Sequence, residues 1–537
     1  MAIKIKKTII FLTVLIGFFL FAKVSYVSAN TYYVSKTGVD IGTCTQQASP
    51  CLTIRYGISQ MTSGDTLLVG DGTYVEQMSG MPNGTAQSYT TIKAVNRNKA
   101  IIDGKGLGPW SRAIYLYNKS YVVIDGFQAK ADYNATEAGA ISLGGNTHHV
   151  KILRCSAYNA SPSGNTSVIG AGAGTHDNLF EECWAWGTGR YKFIIYQSTN
   201  TIVRRSVARH DYHGGLWAKQ NSGFTNYDST NTQFQNNIVI DSGVADGSSG
   251  VIYGGIWEEN NSGTDKSGKI TGSIFLNIKS SLAAISDWKA SGNRTISNNV
   301  LWDIDGGYAT DNQGNVPTAH ITVSNLTIGN ARGTYPGWNN FWGVGSGSMH
   351  QIDVSTTNSI IYGSHDYGIA DYMASDYNAL YNNRVNYGGD HTPTPGAHDI
   401  ITTNPLTNGL IYLPRIEAGT VLKTAGQGGG QIGAEIMYQH GVSGTLYGEP
   451  GWDTLTSVPL WPFPNEALIK SDFASYNGPG PSGKRGFAAD GNGLYGGPIT
   501  LTSYIWEYLG NPCPVGICTT GVPDTTPPAA PTGVIVS

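Results

Sequence analysis

Charge is scarce in this 537-residue chain: Asp, Glu, Lys and Arg make up 13% of it, with 37 acids to 33 bases. That balance excludes the broad cationic surface that grips nucleic acid or an anionic membrane. Long apolar runs are missing too. The run from Thr8 to Ala22 is fifteen residues, short of the roughly 20 that a helix needs to cross a bilayer. It follows three lysines and precedes Val27-Ser28-Ala29, so residues 1–29 read as a signal peptide removed on export, with no membrane insertion afterwards. Without Lys4, Lys6, Lys7 and Lys23 the balance is 29 cations to 37 carboxylates.

Cysteine is sparse, six in all, a number that fits an oxidising compartment. Cys44 with Cys51, and Cys513 with Cys518, are near enough in sequence to close short loops. Cys155 and Cys183 gain meaning only from the repeats described below. What the chain has in abundance is glycine, 71 residues, and tyrosine, 31. Together with the low charge they point to a turn-rich, strand-rich extracellular protein.

Some 500 mature residues exceed what one compact core holds, but a repeat fold grows in one dimension without that limit. Eight strips align, among them "YVVIDGFQAKA" from Tyr121, "VKILRCSAYNA" from Val150, "NLFEECWAWGT" from Asn178, "TIVRRSVARHD" from Thr201 and "TQFQNNIVIDS" from Thr232. Their starts lie 23 to 37 residues apart, which indicates a solenoid or propeller. Each strip alternates apolar and polar residues and is broken near its middle by a small or amide residue: Gly126, Cys155, Ser206, Asn237, Asn299 or Asn325. Alternation marks half-buried strands, and the break marks a bend. A second apolar run follows each strip. The hairpin turns and longer periods of a propeller are absent. The expectation is an all-β fold, a right-handed parallel β-helix, with Cys155 stacked on Cys183 in consecutive coils, close enough for a disulfide or for two stacked free thiols.

The start of the mature chain, "TYYVSKTG" and then "SPCLTIRYGISQMTSGDTLLVGDGTYVE", resembles the amino-terminal cap of secreted β-helix proteins of the pectate-lyase-like superfamily. That resemblance implies a short capping helix within Thr53–Met61 and a first coil from "GDTLLVGDGTYVE". The organisation read from the chain is a cap and first coil over 30–100, the β-helix over 101–426, and an irregular carboxy-terminal cap over 427–519. A Pro-rich linker over 520–537 ends in "TGVIVS", which resembles the first strand of a fibronectin-type-III-like module.

One stretch inverts the charge. Between Arg190 and Lys219 stand Arg190, Lys192, Arg204, Arg205, Arg209 and Lys219, with Asp211 as the sole carboxylate and Tyr191, Tyr196, Tyr212 and Trp217 among them. Coil stacking puts Trp186 beside Arg209 and "GTGRYK" beside "HDYHGG". Arg204 and Arg205 follow Glu181 and Glu182 in the alignment, which predicts ion pairs between coils. The remaining cations and rings suit a groove for an acidic polysaccharide, because rings stack on sugar faces and arginines meet carboxylates.

Many members of the resembled superfamily cleave uronate-containing polysaccharides by β-elimination, which needs a cation at the C6 carboxylate, a base for the C5 proton and an acid for the leaving oxygen. Arg209 suits the first role, Lys192 or His213 the second, and Tyr212 or Tyr191 the third. Arg190, Tyr191, Trp186, His210, Trp217, Lys219, Trp257 and Glu259 are the candidate substrate contacts. A glycoside hydrolase would instead pair Asp211 with Asp241, Glu258 or Glu259, and a non-catalytic glycan-binding stalk is the third reading. The fold does not choose among these. The Asn-Thr-Asp, paired-Asp and Gly-His-Gly set of β-helix polygalacturonases is missing. The cofactor is left open. Asp303, Asp305 and Asp311 in "WDIDGGYATD" are oxygen-rich enough for calcium, though turn aspartates more often cap the backbone.

Overall fold

The protein is described from a computed structural model covering residues 29–518, apart from 133, 135–138, 215–220, 243–251, 260–265, 279–282, 312–318, 334–341 and 347–351. The expected signal peptide, apart from Ala29, and the expected fibronectin-like stretch therefore lie outside the described residues. Three parallel sheets run the length of the molecule. Sheet A extends from Thr31–Val34 to Ala374–Asp376, sheet B from Gly72–Tyr74 to Ala379–Tyr381, and sheet C from Arg112–Tyr117 to Val385–Gly388. They hold thirteen, twelve and eleven strands among the described residues. Each strand pairs with its counterpart one coil away, as in Val122↔Val150 and Ile169↔Phe193. This is an all-β parallel β-helix.

The bend that interrupts each strip is the corner between sheets A and B. One residue there takes a left-handed backbone: Gly126 (φ 81°), Glu182, Arg205, Asn236, Asn298 or Asn325. The residue after it points inward and stacks on its neighbour in the next coil. The Asn237 side chain accepts from the Ser206 N–H at 2.9 Å and donates to the Val203 carbonyl at 2.8 Å. Asn299 does the same with Ser273 and Ile270, at 2.8 and 3.0 Å. Buried corner backbone would otherwise lack partners.

Cys155 and Cys183 occupy this same inward position, since Ser156 pairs with Trp184 in register. They stack as free, buried thiols, while Cys44–Cys51 and Cys513–Cys518 are disulfides. The amino-terminal end is closed by the helix Ile54–Gln60, N-capped by Thr53, whose hydroxyl accepts from Tyr56 N–H. Gly57 is required there: a Cβ would lie 2.7 Å from Val34 Cγ2.

Past Pro405 the chain does more than close the far end. It turns back and lies along the outer face of sheet B. Trp461, Phe473, Phe487, Ile505 and Trp506 bury Trp184, Trp186, Ile240, Leu276 and Trp302, and Asp472 reaches back to Asn98, Gln128 and Trp184. Sheet B is thus buried on both faces, which is why its strands read as unbroken apolar runs such as Ile238-Val239-Ile240. A second segment, His440 to Asp453, crosses sheet A and accepts from Arg204, Arg205 and Gln235.

Burial pushes the Cys155 thiol up to about 12 and Cys183 well above its ordinary value, with the neighbouring thiol adding to the second shift. A thiol reagent should therefore label neither cysteine in the native protein and both after denaturation. Rapid native labelling of either one would show that the two coils are not stacked as described.

Candidate functional site

The cation-rich stretch assembles in space as the alignment predicts, but under cover. Glu181 pairs in register with Arg204 and accepts from Arg205 at 2.7 Å. Arg209 lies next to Trp186 through the adjoining Ala185↔Ala208 rung, and Thr188 bridges Tyr212.

Among the described residues no open groove lies over Arg209, Lys192 and His213. Arg209, His210, Asp211 and Lys192 have no exposed surface, and Trp186, Arg190, Tyr191 and His213 are also buried. Arg209 donates to the Phe473 and Gly483 carbonyls at 2.7 and 2.8 Å, pairs with Asp211 at 2.9 Å, and lies 4.6 Å over the Phe473 ring. Arg485 also holds Asp211, at 2.8 Å. These groups fasten the carboxy-terminal region to the β-helix. The charge-stabilising role expected of Arg209 is corrected accordingly: its guanidinium is spent on protein carbonyls and a protein carboxylate.

Lys192 and His213, the expected bases, are corrected in the same way. The Lys192 ammonium donates to the Gly187 and Gly189 carbonyls at 2.7 and 3.0 Å. Burial holds its pKa down to about 7, with Asp211 opposing and Arg209 reinforcing the shift. Burial also pushes His213 down to about 3 and His210 well below its ordinary value, and Lys192 adds to both. Among the described residues neither ring nitrogen of His210 has a hydrogen-bond partner. Tyr212 is half-buried against Gly480. Trp217 and Lys219 lie outside the described residues, as does the side chain of Trp257.

The remaining carboxylates of the hydrolase reading are divided. Asp211 and Asp241 are held by the carboxy-terminal region, Asp241 through Phe487 N–H and the Tyr504 hydroxyl. Glu258 points into the barrel and pairs with Arg294. Asp303 accepts from Asn330 and Tyr508, and Asp305 faces Arg332. The Asp311 side chain is outside the described residues. Among the described residues no group of three His, Cys, Asp or Glu is placed to hold a metal ion.

An open cleft of about 550 Å³ does exist, on the outer face of sheet C. Its rungs come from successive coils: Tyr115, Ser142, Gly170 and Ile194 share one register line, and Tyr196, Tyr227 and Glu259 another. Arg112, Asn165, Arg190 and Tyr191 also line it. Three of the expected contacts, Arg190, Tyr191 and Glu259, are thus in one site. Arg190 lies 4.5 Å over the Tyr191 ring and donates to the Asn165 side-chain oxygen Oδ1. Tyr196 and Tyr227 have ring centroids 5.5 Å apart. Burial raises the Tyr227 pKa first, then Glu259, Asp228 and Tyr196, with Arg190 opposing. Glu259 also meets Lys289 at 3.4 Å.

Arg112, Tyr115 and Tyr227 are absent from the sequence reading. Their only signal is a large or charged residue at an outward position of the third strand, a position that carries no pattern until the register is known.

No protein-family model matches the chain, and no curated protein resembles it in sequence. Solved structures share its fold. A lacto-N-biosidase from Eubacterium ramulus is 12% identical at a TM-score of 0.45, over 69% of this chain and 67% of that one. An alginate lyase from Paenibacillus sp. is 15% identical at 0.38, over 63% and 98%. A surface adhesin of Streptococcus pneumoniae is 13% identical at 0.43, over 61% and 84%. At these identities the likeness extends to architecture alone.

Two outcomes follow from the buried cluster. Arg209→Ala should cost about 3 kcal/mol in chemical denaturation, the lower end for breaking a buried pair because Arg485 still holds Asp211; an unchanged midpoint would contradict the fastening role. Lys192 is protonated up to about its ordinary 10.5 when unfolded but only to about 7 when folded. Between those values the unfolded chain binds more protons, so stability should rise with pH. His213 should act likewise between about 3 and its ordinary 6.5. Lys192→Met should flatten the upper window and narrow the lower without abolishing it, because burial is the larger cause of the His213 shift and Lys192 the next, read from denaturation midpoints across pH.

Proposed function

We propose that the sheet C cleft binds an acidic, uronate-containing polysaccharide and cleaves it by β-elimination. The observation that carries this reading is the lining: two arginines and four tyrosines against one carboxylate, Glu259, among the described residues. Hydrolysis needs two carboxyl groups roughly 5–10 Å apart across the bond. Elimination needs a fixed cation, a base and a proton donor.

Arg190, propped by Asn165 and the Tyr191 ring, is the cation that meets the C6 carboxylate. Glu259 removes the C5 proton, the electron pair forms the C4–C5 double bond, and the C4–O bond breaks. The leaving oxygen takes the proton of Tyr227, which keeps that proton because burial and Glu259 raise its pKa. Action outside the cell is supported by two disulfides and by the signal-like first residues. No helix among the described residues is long and apolar enough to cross a membrane.

The test offers polygalacturonate, alginate and glycosaminoglycans to the purified protein and follows the ultraviolet absorbance of unsaturated uronate. At least one polymer should yield it, and Tyr227→Phe should lower kcat about 10²–10⁴-fold while the denaturation midpoint holds. New reducing ends without the chromophore would mean hydrolysis. Binding without turnover would mean a glycan-binding surface, and no binding at all would remove the reading.

A further inference from the structure

Trp110 is 72% exposed, an unusual state for so large an apolar side chain in the described residues. It sits in the turn two residues before Arg112–Tyr117, the strand that ends sheet C at the amino-terminal side. No ring contact covers it among the described residues. The next cation along the chain is Arg112, which lines the cleft. Its Nη1 donates to the Trp110 carbonyl at 2.8 Å and to the Ser111 carbonyl at 3.0 Å. The guanidinium is therefore tied to the backbone of the turn that carries Trp110, at the cleft's end. A Trp face stacks on the apolar face of a sugar, and a guanidinium pairs with a carboxylate. An acidic sugar offers both on one ring.

We infer that Trp110 and Arg112 form a distal subsite for one uronate ring, so that the cleft reads chain length as well as charge. The inference rests on the proposed glycan-binding cleft and adds its far end. From Arg112–Tyr117 to Ile252–Glu259 the cleft crosses six strands of sheet C, about 24 Å at ≈ 4.8 Å per strand, the length of roughly five pyranose units lying along the helix axis. A ring bound at Trp110 contributes to the affinity of a chain that spans this distance and nothing to one confined near Glu259.

Calorimetric titration with uronate oligomers of graded length tests this, using whichever of polygalacturonate or polymannuronate the wild-type protein binds. Wild-type affinity should climb with length up to about five units and then level off. Trp110→Ala should weaken polymer binding about tenfold, with the loss shrinking as the oligomer shortens, and Trp110→Phe should restore most of it. Arg112→Ala should weaken uronate polymers more than a neutral xylan. Equal affinity of Trp110→Ala and wild-type protein for the polymer, or a loss that does not depend on length, overturns the subsite while leaving the cleft's function standing. Wild-type protein that binds no uronate polymer overturns both.

Discussion

The parallel hydrogen-bond ladder is the constraint from which the rest of the structure follows. Each strand's N–H and C=O groups are answered one coil away, at evenly spaced intervals, so a residue's place is set by its counterpart in the coil before. Phe193, Phe224, Ile256 and Ile285 stack in one inward line although the loops between them differ in length. The corner between sheets A and B must repeat in every coil as well. That demand explains non-glycine residues held at positive φ, where Asn is least strained, and the Ser and Asn side chains that supply the missing corner hydrogen bonds.

The ladder also creates a difficulty, because a stack of apolar strands has outer faces to be covered. Sheet B is covered by the carboxy-terminal region and sheet A by the segment from His440 to Asp453. Arginine fastens both, since its five donors in a fixed fork can meet several carbonyls at once. Arg204 and Arg205 hold the second segment and Arg209 the first, each also paired with an acid of its own coil stack. Buried charge is costly unless paired and fully bonded, and here the partners are backbone carbonyls supplied from more than 200 residues away.

That distance explains what the sequence could and could not disclose. The repeat, the bend, the stacked Cys155 and Cys183, and the Glu181–Arg204 rung were legible because each depends only on neighbouring coils. The burial of Arg209, Lys192 and His213 was not, because a solvent-open cationic groove and a packed cationic fastener have the same composition. They differ only in whether Phe473, Gly483 and Arg485 lie over them. The cleft was hidden for the opposite reason: it draws on six coils, and its arginines, tyrosines and Glu259 are spread from Arg112 to Glu259.

With the outer face of sheet B covered, and that of sheet A covered over its middle coils, sheet C presents an open cleft to a ligand. The pleat then decides which residues a ligand meets. Glu258 and Glu259 are neighbours in sequence, yet alternation sends them to opposite sides. Glu258 turns into the barrel and is consumed by Arg294, which also faces Asp287 at 3.3 Å. Glu259 turns outward into register with Tyr227 and Tyr196. The interior ion cluster anchors this strand beneath the cleft, so the outward carboxylate is positioned by the inward one.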